Sequence, residues 1–143
     1  MKNILFVCTG NSARSIIAES IINNEYNDMY KGFSAGSNPT GKINEDVKNY
    51  LLSKHYDLSN YRSKNFSEFI NSQIKMDYIV TVCNNANNEV CPIWPNKDQI
   101  IHWDIDDPVS KLKNLNDEEK QIIIRKTFNE INKKINSWVK SEK

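Results

Sequence analysis

The chain has few cysteines, no long apolar run and almost no net charge, and each scarcity excludes a class of protein. Three cysteines in 143 residues are an odd number, which is a poor basis for a framework of structural disulfides. The 19 basic and 18 acidic residues give a formal net charge of +1. This balance supplies no overall positive field for nucleic acid or an anionic membrane. We therefore expect anion binding to be local.

The N-terminal apolar run, residues 4–7, is too short for the core of a signal peptide, and no small-residue cleavage site follows it. No apolar stretch approaches the length of a membrane span. We therefore expect a cytoplasmic protein without a membrane partner, in a reducing compartment that keeps thiols free, catalytic or metal-bound. The length is typical of one domain, so residues 1–143 are predicted to form a single domain, and we expect a monomer.

Short apolar segments alternate with segments of helical spacing. Strands are predicted at residues 4–7, 32–35, 77–83 and 99–103. Helices are predicted at 13–26, after an Asn44 cap, at 63–69 and at 117–139, with a polar loop at 84–96. This alternation indicates a parallel α/β sheet with helices on both faces. Ligands of such sheets bind beyond the carboxyl ends of the strands, where Cys8 and Cys83 would share one site.

The segment from Cys8 to Ser15 joins a buried strand to an amphipathic helix and has the composition of an anion cradle. Small residues let the backbone curl around a tetrahedral oxyanion, and the helix N-terminus adds positive potential. Arg14 can hold two anion oxygens through its planar guanidinium. The same field favours a nucleophilic thiolate at Cys8, to which Ser15 can donate a hydrogen bond. The predicted oxyanion-binding residues are Thr9, Gly10, Asn11, Ser12, Ala13 and Arg14.

The alternative for this segment is a buried Cys8 that ends a strand, with Arg14 paired at the surface. An oxygen leaving group also needs a proton donor, and Asp107 is the candidate because Pro108 keeps it extended. The alternatives for Asp104, Asp106 and Asp107 are a solvated turn or a cation site, although the spacing lacks the EF-hand pattern.

Cys83 and Cys91 flank an Asn-rich segment that can bend enough to bring their sulfurs together. The alternatives are two unrelated thiols or a zinc site. Zinc needs a closed set of Cys and His ligands, and the chain offers only His55 and His102 besides its cysteines. His102 lies in a predicted strand, which favours a structural role, so we predict no metal.

The Cys8–Ser15 segment, together with a late Asp107–Pro108, resembles the low-molecular-weight protein tyrosine phosphatase fold family. Within that family, the segments 80–86 and 91–95 and the pair His102–Trp103 resemble the arsenate reductases. The resemblance spans about residues 2–138. It implies a four-stranded parallel sheet flanked by helices.

The resemblance also implies an activity, the reduction of arsenate to arsenite. The Cys8 thiolate would attack arsenic, Arg14 and the loop amides would stabilise the oxyanions, and Asp107 would protonate the departing oxygen. A relay through Cys83 and Cys91 would then release arsenite and pass a disulfide to an external thiol reductant. That partner would be thioredoxin, or glutaredoxin with a low-molecular-weight thiol, and no bound cofactor is expected.

The chain departs from these relatives at Ala13, where they commonly carry a cysteine outside the relay, and at Lys64. Some relatives bind potassium beside the nucleophile loop. Asn11, Glu19 and Ser34 match that site, but Lys64 stands where an acid is expected, and its charge can replace the ion. We therefore expect no required metal.

Two other functions remain open. A low-molecular-weight protein tyrosine phosphatase would hydrolyse phosphomonoesters through a phosphocysteine at Cys8. It would share Arg14 and Asp107 but need neither Cys83 nor Cys91. A non-enzymatic phosphate- or arsenic-binding module would leave Arg14 and Asp107 without a role.

Overall fold

The computed structural model describes residues 1–59, 61–70, 72–83 and 100–142. Cys91 and the predicted loop at 84–96 lie outside the described residues. Strands and helices alternate in the order β1 (Lys2–Cys8), α1 (Arg14–Glu25), β2 (Tyr30–Gly36), α2 (Glu45–Ser53), α3 (Ser67–Ile70), β3 (Tyr78–Thr81), β4 (Ile100–His102) and α4 (Asp117–Ser141). A 3-10 turn at Val109–Lys111 precedes α4.

The four strands form one parallel sheet in the order β2-β1-β3-β4. Strand β1 lies in the interior of the sheet, with Cys8 opposite Gly36 of β2 and Val7 opposite Thr81 of β3. Thr81 in turn lies opposite His102 of the edge strand β4. Because all strands run the same way, their carboxyl ends, with Cys8 and the residues after Thr81, lie at one edge.

Both faces of the sheet are covered, as a parallel sheet requires. On one face, Ile4, Phe6 and Val80 pack with apolar residues of α1, α2 and α4 in the main core. On the other face, Leu5 and Ile79 pack with a smaller cluster around α3 that includes Phe33 and Phe69. The predicted four-stranded parallel sheet flanked by helices is confirmed.

Three predicted elements differ from the structure. Strand β3 ends at Thr81, although Val82 still donates a backbone hydrogen bond to Val7 at 2.9 Å. The helix predicted at 63–69 is the single turn of α3, because the residues before it form a bridge to Gly36 instead. Helix α1 is buried all round from Arg14 to Ile22, so it lacks the exposed polar face of an amphipathic helix. Its polar side chains are used by the site described below.

No described helix combines the length and the apolar character that crossing a bilayer requires.

Candidate active site

The loop after β1 curls around the Cys8 sulfur. Four of its carbonyl oxygens accept backbone hydrogen bonds of 2.9–3.1 Å from the segment after β2, the pairs being Ser37 to Cys8, Asn38 to Thr9, Thr40 to Gly10 and Asn44 to Ser12. The N–H of a trans peptide lies opposite its C=O. The N–H groups that follow these carbonyls therefore point away from that segment, toward the cradle. One of them, the N–H of Asn11, donates to Cys8 Sγ at 3.2 Å.

Gly36 allows the loop to curl this closely. A Cβ at Gly36 would lie 2.5 Å from the carbonyl oxygen of Thr9 and 3.0 Å from Asn11, so only glycine fits there without displacing the loop. Gly10, inside the loop, is less constrained, since its Cβ would meet Thr40 at an ordinary 3.4 Å. Asn11 itself has a φ of 46°, a left-handed conformation that Asn tolerates better than most residues.

A line of hydrogen bonds leads from the segment before α3 to the sulfur. The backbone N–H of Lys64 donates to Asn11 Oδ1 at 2.8 Å. Asn11 Nδ2 donates to Ser15 Oγ at 2.7 Å, and Ser15 Oγ lies 2.9 Å from Cys8 Sγ. Because Ser15 Oγ accepts from Asn11, its single hydroxyl proton can point at the sulfur. Three residues of this line are fully or nearly fully buried, namely Asn11, Ser15 and Cys8.

Arg14 is the first residue of α1 and its side chain is buried, with 3% of the residue exposed. Its Nη1 donates to the carbonyl oxygen of Ile105 at 2.9 Å, which fixes the plane of the guanidinium. The alternative that Arg14 is paired at the surface is therefore wrong. The group lines the same cavity as Cys8.

That cavity is open to solvent, has a volume of about 500 Å³, and is lined by residues 8–14 and by Asp107. The predicted oxyanion-binding residues all line it, namely Thr9, Gly10, Asn11, Ser12, Ala13 and Arg14. The loop N–H groups, the N-terminus of α1 and Arg14 give it the positive potential that a tetrahedral oxyanion needs. The roles assigned to these residues stay predictions.

The three acids before Pro108 have different partners. Asp104 Oδ1 lies 2.7 Å from His102 Nε2, and Asp106 Oδ2 lies 3.3 Å from Lys111 Nζ. Asp107 lines the Cys8 cavity, and its Oδ1 accepts a hydrogen bond of 3.0 Å from the N–H of Val109. Of these three acids, only Asp107 lines that cavity, which distinguishes it as the candidate proton donor.

Glu19, on α1, is buried, and Lys64, which acts on it electrostatically, is half-buried. Ser34 Oγ donates to Glu19 Oε1 at 2.5 Å. Burial raises the pKa of the Glu19 carboxyl, while the positive charge of Lys64 opposes that shift. Burial likewise lowers the pKa of the Lys64 ammonium, opposed by Glu19. The Lys64 ammonium itself donates a hydrogen bond of 2.8 Å to the carbonyl oxygen of Arg62. Among the described residues, no group of three or more His, Cys, Asp or Glu side chains is arranged to hold a metal ion.

Cys83, which follows β3 by two residues, is completely buried. Its neighbour in the predicted relay, Cys91, lies outside the described residues, so the structure leaves their pairing open. His102 does have structural partners on either side, because Thr81 Oγ1 lies 2.6 Å from its Nδ1.

Sequence reasoning gave no role to Ile105, whose carbonyl orients Arg14, or to Gly36, on which the loop rests. No sequence signal pointed to Ile105, because it contributes only its backbone carbonyl to the interaction. Gly36 did carry a signal: a glycine at the end of a strand next to the strand of the nucleophile often marks a place where another backbone segment approaches closely.

The family model described as low molecular weight phosphotyrosine protein phosphatase matches residues 3–143, and the chain belongs to this family. An arsenate reductase of Halalkalibacterium halodurans is 33% identical over 142 residues, covering 99% of this chain and 98% of that protein. An arsenate reductase of Brevibacillus brevis is 37% identical over 112 residues, covering 77% and 79% of the two chains. The crystal structure of arsenate reductase from Archaeoglobus fulgidus superposes with a TM-score of 0.68 at 25% identity, covering 93% of this chain and 98% of that one.

Proposed function

We propose that the protein is an arsenate reductase that uses Cys8 as its nucleophile. The observation that carries this proposal is a buried thiol inside an anion cradle, combined with full-length similarity to a protein named arsenate reductase. Arsenate is a tetrahedral oxyanion, so the inward N–H groups and Arg14 suit it.

The first half of the reaction uses the Cys8 cavity. The Cys8 thiolate attacks the arsenic atom, an S–As bond forms, and one arsenate oxygen departs with a proton from Asp107. The Ser15 hydroxyl donates a hydrogen bond to the Cys8 sulfur while that sulfur is anionic. Arg14 neutralises the arsenate oxygens, with its fork held in plane by Ile105.

The second half is a thiol relay. The Cys83 sulfur attacks the Cys8 sulfur, the S–As bond breaks, and its electron pair stays on arsenic, which is thereby reduced and leaves as arsenite. Cys91 then attacks Cys83, which frees the Cys8 thiolate and leaves a Cys83–Cys91 disulfide. Two electrons from an external thiol reductant restore both thiols. We propose thioredoxin, or glutaredoxin with a low-molecular-weight thiol, as that donor, with a monomeric cytoplasmic enzyme and no bound cofactor.

A protein tyrosine phosphatase activity is the second candidate, and one observation favours it. A groove of about 1060 Å³ adjoins the Cys8 cavity and shares Ser12, Thr40 and Val109 with it. Tyr56 and Tyr61 also line this groove. It offers room for the organic part of a phosphomonoester, which arsenate does not have.

The deciding experiment compares the two reactions in the same preparation. Arsenate reduction is measured with the thioredoxin system and with the glutaredoxin–thiol system, and hydrolysis of p-nitrophenyl phosphate is measured in parallel. We expect multiple-turnover arsenate reduction with one of the two donors and weak hydrolysis. Cys83→Ser should lose the first activity and keep the second, because water can resolve a phosphocysteine without a second thiol. Efficient hydrolysis without arsenate reduction by either donor would identify a phosphatase instead.

A further inference from the structure

Asn38 lies at the open side of the Cys8 cavity and was not among the residues predicted to bind the oxyanion. It follows β2 by two residues and is one of the residues that line the cavity. Its backbone N–H donates to the carbonyl oxygen of Thr9 at 2.9 Å, which holds the Asn38 backbone against the nucleophile loop. The residue is exposed, so it stands where a substrate enters from solvent.

The Asn38 side chain differs from the hydroxyl side chains that line the cavity outside residues 8–14. Thr40 Oγ1 donates to a backbone carbonyl oxygen at 2.9 Å, and Ser110 Oγ donates to another at 3.1 Å, so both hydroxyl protons are already used. Within the part of the chain that the structure describes, no hydrogen bond holds the Asn38 amide. An amide carries two N–H donors and an acceptor oxygen. Asn38 therefore brings uncommitted groups of both kinds to the open side of the cavity.

The geometry of displacement at a tetrahedral oxyanion gives this position its importance. As in phosphoryl transfer, the attacking atom and the departing oxygen lie roughly in line. An oxyanion held over Cys8 therefore directs its departing oxygen away from the sulfur, toward the open side. Asp107, the candidate proton donor to that oxygen, lines the same cavity as Asn38. We therefore expect the departing oxygen to lie within reach of the Asn38 amide.

The departing oxygen differs between the two candidate substrates. In inorganic arsenate it is a hydroxyl or an oxyanion, which can donate to an amide or accept from it. In a phosphomonoester the same oxygen is bonded to carbon, has no proton to donate, and brings an organic group to the open side. The groove that adjoins the cavity at Ser12, Thr40 and Val109 has room for that group, and its described lining residues do not include Asn38.

We propose that Asn38 contacts the substrate and selects inorganic oxyanions over phosphomonoesters. Its amide hydrogen-bonds the departing oxygen of arsenate, and Asp107 supplies the proton with which that oxygen leaves. A site that hydrogen-bonds a substrate hydroxyl disfavours an analogue that lacks it. The inference rests on the proposed arsenate reductase function and names a residue that determines its substrate class.

The first test measures binding without turnover. In Cys8→Ala protein, calorimetric titration gives the dissociation constants of inorganic arsenate and of phenyl phosphate. Adding Asn38→Leu, which keeps the approximate size of the side chain but none of its polar atoms, should weaken arsenate binding by roughly fivefold to tenfold, the effect of one hydrogen bond. Phenyl phosphate binding should change by less than about twofold. Asn49→Leu, at an exposed asparagine of α2, is the matched control and should change neither constant.

The second test repeats the comparison in the active enzyme. Asn38→Leu should lower kcat/KM for arsenate by roughly tenfold relative to kcat/KM for p-nitrophenyl phosphate, and Asn38→Gln, which retains the amide, should recover part of this loss. Equal losses for both substrates would mean that Asn38 only supports the loop, and no loss for either would mean that it makes no contact. Either result would overturn the proposal. A wild type that does not reduce arsenate would instead refute the proposed function, while the binding comparison in Cys8→Ala would still decide the role of Asn38.

Discussion

At the scale of single residues, the site depends on how Arg14 is held as much as on its charge. The guanidinium is buried and one of its N–H groups is committed to the Ile105 carbonyl. A planar fork fixed in this way can present its other edge to two oxygens of an oxyanion. An ammonium group carries the same charge but has no plane to fix.

Arg14→Lys is therefore expected to disable the enzyme despite conserving charge. Removing one donor to a transition-state oxyanion typically costs about 2.7–4 kcal/mol, or 10²–10³ in kcat, and we expect a loss at least this large. Steady-state arsenate reduction and p-nitrophenyl phosphate hydrolysis should both fall, because they share the anion cradle. Near-normal kinetics in either assay would mean that Arg14 does not contact the substrate.

Glu19 gives a prediction about stability and pH. Burial raises the pKa of its carboxyl in the folded protein, so the folded state binds this proton more tightly than the unfolded state does. The contribution of Glu19 to stability is thus complete below its ordinary pKa and is lost as pH rises through the raised value. Glu19→Gln removes this loss. Over the pH interval that begins below the ordinary pKa of 4.5 and extends upward through the raised value, the free energy of unfolding of the variant should rise relative to that of the wild type.

The measurement is urea denaturation of both proteins across that pH interval, with Glu25→Gln, at the exposed end of the same helix, as the control for removing one carboxylate. Glu19→Gln also removes the negative charge that acts on Lys64. While the Lys64 ammonium stays protonated, this changes the free energy of unfolding of the variant by an amount that does not vary with pH. The slope of the difference against pH is therefore the test. A slope of zero or of the opposite sign would contradict the burial effect on Glu19.

At the scale of secondary-structure elements, β2 acts as the support on which the nucleophile loop rests. Gly36→Ala should displace that loop, because its Cβ would lie 2.5 Å from the Thr9 carbonyl. Overpacking of this kind typically costs about 1–3 kcal/mol, and activity should fall further since the inward N–H groups move with the loop. Chemical denaturation and arsenate reduction measure the two effects.

Gly10→Ala provides the matched control, because its Cβ would make only an ordinary contact of 3.4 Å. We expect this variant to fold as the wild type does and to keep most of its activity. Gly10 is nevertheless the glycine that the sequence motif draws attention to. If Gly10→Ala were the more damaging change, the tight approach would lie inside the loop and not at β2.

The elements themselves follow from local patterns, whereas their use in the site does not. Apolar spacing predicted the interior strand β1 and the long helix α4. The Asn44 cap was predictable because Asn is a preferred N-cap residue. In the structure its side chain accepts hydrogen bonds from the N–H groups of Asp46 and Val47. Helix α1 was predicted to be amphipathic from the helical spacing of its apolar residues. Glu19 is buried instead, since its partner Ser34 comes from β2, a strand that periodicity cannot place beside it.

The candidate site was predictable to the extent that one short segment contains it. Cys8 to Ser15 builds both the nucleophile and the cradle, so the sequence placed these residues together without knowledge of the fold. Asp107 is distant in sequence, and its proximity to the loop depends on where the chain turns after β4. The Thr81–His102 contact arises from strand register, and the Ile105 carbonyl reaches Arg14 through the path of the chain after β4. The sequence specifies neither.

At the scale of the whole molecule, the strand order brings the two thiols to one edge. Strands β1 and β3 are neighbours, and the backbone bond from Val82 to Val7 continues the ladder beyond Thr81. With a strand spacing of 4.7–4.9 Å and a rise of about 3.3 Å, the Cα atoms of Cys8 and Cys83 are expected to lie roughly 6 Å apart. This is within the range that a disulfide spans.

Alternation along the strands places consecutive side chains on opposite faces. Val82, opposite Cys8 in the ladder, belongs with it to the main core, so a regular continuation would direct Cys83 to the other face. Formation of a Cys8–Cys83 bond then requires the backbone after Thr81 to rotate. The end of β3 at Thr81 leaves Cys83 outside the strand, which makes that rotation compatible with an intact sheet.

Cys91→Ser should therefore trap a disulfide between Cys8 and Cys83 after one equivalent of arsenate. Removing the resolving thiol leaves the first bond of the relay with no protein thiol to break it. Mass spectrometry of the unreduced, protease-digested protein should show the two peptides linked, with arsenite released in equal amount. Cys83→Ser is the matched variant and should yield no such link, because Cys8 then has no partner across the sheet edge. Arsenite release by Cys91→Ser without the linked peptides would mean that an external thiol attacks Cys8 directly.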